Sequence, residues 1–77
     1  MKVNVLLFGQ LTDIIGDDKL ELDDTVDTDS LIKSMQQLYP KLVHSKYIIA
    51  VDKKVISENT TLTNLCTVAL LPPFSGG

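Results

Sequence analysis

The sequence predicts an α+β domain in which one main helix lies across a mixed sheet of four or five strands. Three observations predict it. Lys2–Phe8 and Thr67–Leu71, at opposite ends of the chain, are apolar runs of strand length, which places them together in the middle of a sheet. Only the stretch from about Asp27 to Tyr39 keeps helical spacing for several turns. With 77 residues and 44% hydrophobic content there is chain enough for one core and none for a second.

The elements follow in order. In Lys2–Phe8 (KVNVLLF), Val3, Val5 and Leu7 share one face, while the other face turns apolar at Leu6 and Phe8, so the C-terminal half of this strand is expected to be covered on both sides. Leu11, Ile14 and Ile15 mark a helical turn closed by Gly16, a residue suited to a C-cap. Lys19-Leu20-Glu21-Leu22 alternates polar with apolar and reads as a strand returning antiparallel to the first. Asp27 or Thr25 can cap the main helix, whose inner face is expected at Leu31, Met35 and Leu38, and which ends near Tyr39 because Pro40 disfavours helical angles in the residue before it. Tyr47–Val51 forms a strand, Asp52-Lys53-Lys54 turns into a short one at Val55-Ile56, and Ser57–Asn64 is a polar connection. Thr67–Leu71 is the last strand, and Pro72-Pro73 ends it by removing two backbone donors. This order is similar to the β-grasp fold of ubiquitin, with a domain over residues 1–73 and an extended tail over 74–77.

Composition excludes several functions. A net charge of −3, with seven lysines scattered along the chain and no arginine, lacks the basic footprint that binds nucleic acid. No apolar run approaches the roughly 20 residues of a membrane span, and Met1-Lys2-Val3-Asn4 leads into a strand pattern rather than a signal peptide, so a cytoplasmic protein is expected. A domain this small buries only about 60% of the surface its unfolded chain exposes, which leaves little apolar surface to wall a deep pocket.

Internal chemistry is equally poorly provided for. Cys66 can form no disulfide within the chain and lies beside Val68–Leu71 with no His or Lys next to it, so it reads as a small core filler. His44 falls in a polar connection and reads as a solvated surface residue, and one His with one Cys cannot build a zinc site of several such ligands. Asp17-Asp18 and Asp23-Asp24 flank a strand, where aspartate serves to turn and cap the chain; the acidic excess can also steer a basic partner. No Gly-rich phosphate loop or nucleophile-elbow motif occurs.

One reactive group remains, the carboxylate of Gly77. Pro72-Pro73 stiffens the exit from the last strand, so Phe74–Gly77 reaches up to about 13 Å from the domain. Gly76 and Gly77 have no Cβ, which lets the backbone pass a narrow channel and leaves the terminal carbonyl open to attack. A carboxylate is a poor electrophile, but its acyl-adenylate is a good one, and a sulfur nucleophile would convert that to a thiocarboxylate. Phe74, with little domain beyond it, reads as an aromatic anchor for a partner surface.

The chain resembles a known family, the small subunit of molybdopterin synthase, a ubiquitin-like sulfur carrier. Val5-Leu6-Leu7-Phe8-Gly9-Gln10-Leu11 is similar to the family's V-L-F-F-A-Q-L opening, Ile49-Ala50-Val51-Asp52 to its A-V-N turn, and Val68–Gly77 to its V-A-F-x-P-P-V-S-G-G ending. The resemblance implies that an E1-like adenylyltransferase activates Gly77 with ATP and that a sulfurtransferase system installs the sulfur. It further implies that the tail then enters the large synthase subunit, which holds the catalytic pocket and binds cyclic pyranopterin monophosphate, and that the sulfur becomes part of the molybdopterin dithiolene. No cofactor bound by this chain is implied.

Carried over position by position, Phe8, Leu71, Pro72, Pro73, Phe74 and Ser75 surround the root of the tail and are expected to meet the large subunit or the activating enzyme. Phe8 reads equally well as core. The chain departs from the family where Asn64-Leu65-Cys66-Thr67 replaces its D-G-D-E, where the segment 24–29 is longer, and where Phe74 stands in place of a valine. A carrier serving thiamine or tRNA thiolation, or a ubiquitin-like modifier, shares the Gly-Gly ending, and the proline pair argues against the first two.

Overall fold

Val3, Val5 and Leu7 alternate with Asn4 and Leu6, and in the computed structural model, which describes residues 2–73, the first set turns inward on strand β1 (Lys2–Leu7). After helix α1 (Leu11–Ile15), capped by Gly16 at φ 86°, the chain returns as β2 (Lys19–Asp23), antiparallel to β1. Helix α2 (Thr28–Leu38) and a 3-10 helix (Pro40–His44) lead to β3 (Ile48–Val51), β4 (Lys54–Ile56) and β5 (Thr67–Leu71). The sheet has five strands in the order β2-β1-β5-β3-β4, with β1 and β5 parallel and both interior, as their apolar character predicts.

Asp27 is the helix cap. Its φ of −152° is extended, and its Oδ1 accepts the Ser30 N–H at 2.9 Å, satisfying one of the free amides of the first turn. Thr25 is instead buried, with its hydroxyl donating to the Asp23 carbonyl at 3.2 Å. The inner face of α2 consists of Leu31 and Met35, both fully buried against Val3, Val5, Leu7, Val68 and Leu70 of the sheet. Each such side chain contributes about 1.5–3 kcal/mol by leaving water.

Leu38 does not join them. It is 60% exposed, and Leu42, fully buried in the 3-10 helix packed on α2, enters the core in its stead. Pro40 causes the exchange: it ends the α-helix, and the tighter helix that follows carries Leu42 inward.

The connection 57–66 is less polar in effect than its composition suggests. Leu62 is 3% exposed and lies in the core cluster with Cys66. Around it, the Asn59 side-chain carbonyl accepts from the Asp29 N–H (2.9 Å) and the Thr28 hydroxyl (3.2 Å), its amide donates to Asp27 Oδ2 (3.2 Å), and the Thr60 N–H donates to the Thr28 hydroxyl (2.9 Å). Asn59 is thus a second cap for α2, supplied from a remote loop.

Among the described residues, no helix is long and apolar enough to cross a membrane. The tail predicted over 74–77 lies outside them.

Candidate functional site at the end of the last strand

Parallel pairing of β1 with β5 makes both strands finish at the same end of the sheet. Leu7 stands opposite Leu70, and the Phe8 N–H donates to the Leu70 carbonyl at 3.2 Å, so Phe8-Gly9 and Leu71-Pro72 leave the sheet side by side. Gly9 has φ 59°, in the left-handed region that favours glycine, and its carbonyl accepts from the Thr12 N–H (3.2 Å) and hydroxyl (2.8 Å). A β-carbon on Gly9 would lie 2.8 Å from Cγ of Pro72. The proline that begins the exit therefore rests on the one residue type that leaves it room.

The predicted cover on both faces of β1 is absent. The helices lie over one face only, and the alternate residues Leu6, Phe8, Ala69 and Leu71 line a depression of about 610 Å³ on the other, extended by Val55 and edged by Asp52 and Lys53. Phe8, 43% exposed, is on this open face and not in the core. Leu71 and Pro72 are half-buried and Pro73 is exposed. Structure thus brings Phe8, Leu71, Pro72 and Pro73 together at the root of the tail, whereas Phe74, Ser75, Gly76 and Gly77 lie outside the described residues.

Val55, 68% exposed, was not legible as part of this surface. Its place follows from its register opposite Ala50, which in turn faces Ala69 on β5. The turn before it, Asp52-Lys53, has φ 48° and 73° at successive residues without glycine. Asp52 holds it to the start of β5, with its N–H donating to the Thr67 carbonyl (2.8 Å) and its Oδ1 accepting the Thr67 N–H (3.0 Å).

The remaining candidates line no part of this apolar face. Cys66 is buried as a filler. His44, expected in a polar connection, is exposed at the end of the 3-10 helix. Asp17 accepts the Asp18 N–H at 2.7 Å, and hydrogen bonding from the Asp18 backbone, more than any nearby charge, holds its carboxyl below the ordinary range. No group of three or more His, Cys, Asp and Glu among the described residues is placed to hold a metal ion.

The model of the ThiS family matches residues 5–77, from the first strand through the Gly-Gly end. The chain belongs to the ThiS family. Among relatives of this ThiS-family chain, a molybdopterin synthase sulfur carrier subunit from Mycobacterium tuberculosis is 30% identical over 82 residues, covering 100% of this chain and 99% of that one. A chain in the protein–protein complex of subunits 1 and 2 of molybdopterin-converting factor from Helicobacter pylori 26695 is 26% identical, with a TM-score of 0.74 and full coverage of both chains. The small archaeal modifier protein 1 from Methanosarcina acetivorans, 24% identical with a TM-score of 0.84 over 99% of this chain and 96% of its own, shares the fold. The fold is the ubiquitin-like β-grasp, as the element order predicts.

Proposed function

We propose that this chain is the sulfur-carrier small subunit of a molybdopterin synthase, carrying sulfur as a thiocarboxylate on Gly77. The observation that carries the reading is the Leu71–Gly77 ending, LPPFSGG, at the exit of an interior strand whose root is flanked by an open apolar face. The family match over residues 5–77 and the shared name of the mycobacterial relative support it. The Helicobacter complex supports a large-subunit partner.

The chemistry begins with activation. An oxygen of the Gly77 carboxylate attacks the α-phosphorus of ATP in an E1-like adenylyltransferase and expels pyrophosphate. A sulfide-equivalent nucleophile from a sulfurtransferase system then attacks the acyl carbon and expels AMP, leaving sulfur where an oxygen was. On the large subunit, the thiocarboxylate sulfur would attack a side-chain carbon of cyclic pyranopterin monophosphate and displace its oxygen substituent by breaking the C–O bond. Hydrolysis of the resulting thioester would leave the thiol on the substrate and return the Gly77 carboxylate. The domain's own part is presentation: Pro72 seated on Gly9 sets the exit, and Phe8, Leu71 and the proline pair meet the partner while Gly76 and Gly77 reach its pocket.

Intact mass after incubation with the adenylyltransferase, ATP and a sulfur source tests the reading. A gain equal to exchange of one oxygen for sulfur is expected, abolished by deletion of Gly77, with the product then consumed by the large subunit and cyclic pyranopterin monophosphate. Exchange without consumption would move the chain to another thiolation route. A covalent adduct to protein lysines in place of the mass gain would make it a modifier.

A further inference from the structure

The end of the domain that releases the tail has a second face. A groove of about 460 Å³ runs between the start of α1 and the segment after the 3-10 helix, lined by Gln10, Ile14, His44, Lys46, Pro72 and Pro73 among others. Its lining includes Lys46 and His44, both exposed, and no carboxylate. In a chain of net charge −3 this is a local inversion. Eight of the ten acidic residues lie between Asp13 and Asp29, whereas Ser30–Val51 holds Lys33, Lys41, His44 and Lys46 and no acid at all.

The groove and the apolar depression flank the tail root, since Leu71 lines the depression and the next two residues, Pro72-Pro73, line the groove. A protein that takes in the tail must press against this end and so meets both. We infer that the groove seats an acidic segment of the large synthase subunit, so that the root of the tail is held by apolar contact on one side and by charge on the other. The inference rests on the sulfur-carrier reading. Charge at such a rim acts mainly on the rate of association and on partner choice, which suits a carrier that must be released after each transfer.

Binding of the full chain to the purified large subunit, measured at low and high salt, tests it. Lys46→Glu is expected to raise Kd roughly tenfold at low salt, mostly through slower association, with the gap closing at high salt. Lys46→Gln falls between, and melting of the exposed-site variants stays at the wild-type value. Wild-type binding that Lys46→Glu leaves unchanged overturns the groove and leaves the carrier reading standing. The groove assignment also falls if Lys46→Glu impairs adenylation by the adenylyltransferase and not binding to the large subunit, or if it disperses a self-association of the isolated chain. Absence of wild-type binding to the large subunit would remove the carrier reading itself.

Discussion

The ring of Pro72 lies over the bare Cα of Gly9, where a β-carbon would come within 2.8 Å of its Cγ. Gly9 is at φ 59°, so a β-branched side chain there meets both a strained backbone and the proline. Gly9→Val is expected to cost about 1–3 kcal/mol of unfolding free energy, read by urea denaturation. Adding Pro72→Ala should recover part of that loss, because the atom in conflict is removed. Full additivity of the two changes would show that the residues do not touch.

Asn59 joins a loop to the first turn of α2 with three hydrogen bonds, to Thr28, Asp29 and Asp27. Asn59→Ala should lower stability by about 1–2 kcal/mol, the range of a lost helix cap. Hydrogen exchange would localise the loss, with faster exchange at the Asp29 and Thr60 amides and little change on β1.

Asp27 carries the pH dependence of the same corner. Hydrogen bonds from the Ser30 side chain and N–H, followed by Asn59, hold its pKa below the ordinary 3.8. A carboxyl whose pKa is lowered by folding contributes stability above its unfolded value and loses it as pH falls through the folded one. Melting temperature should therefore be level well above pH 3.8 and decline beneath it, with a shallower acid decline in Asp27→Asn.

Phe8 separates partner contact from core. It is 43% exposed, so Phe8→Asp should change stability by no more than about 0.5 kcal/mol. The same variant should weaken binding to the large subunit by at least tenfold, about 1.4 kcal/mol, as loss of an aromatic anchor does. Calorimetry of unfolding and of binding, run on one preparation, distinguishes the two.

Leu62 gives the opposite pattern. It sits in a polar stretch of sequence yet is 3% exposed in the core, so Leu62→Ala should cost about 2–5 kcal/mol in denaturant unfolding.

Local rules sufficed for much of this molecule. The alternation in Lys2–Leu7, the glycine at 16, the aspartate at 27 and the proline pair at 72–73 each act through neighbours a few residues away, and each is found where those rules place it. The unpaired apolar character of Leu6, Phe8 and Leu71 was equally visible, but not its meaning. Whether a strand's second face is covered depends on how many layers the fold builds, and here the helices lie on one side only.

What tertiary structure alone decided is non-local. Leu42 replaced Leu38 because a 3-10 helix turned inward, Leu62 was drawn into the core by a loop that Asn59 ties to α2, and Val55 reached the tail face by strand register. Element order follows from the order of apolar runs and turn residues along the chain. The placement of Gly9 beneath Pro72, and of Lys46 beside the same exit, arose only when parallel pairing brought β1 and β5, remote along the chain, to a common end of the sheet.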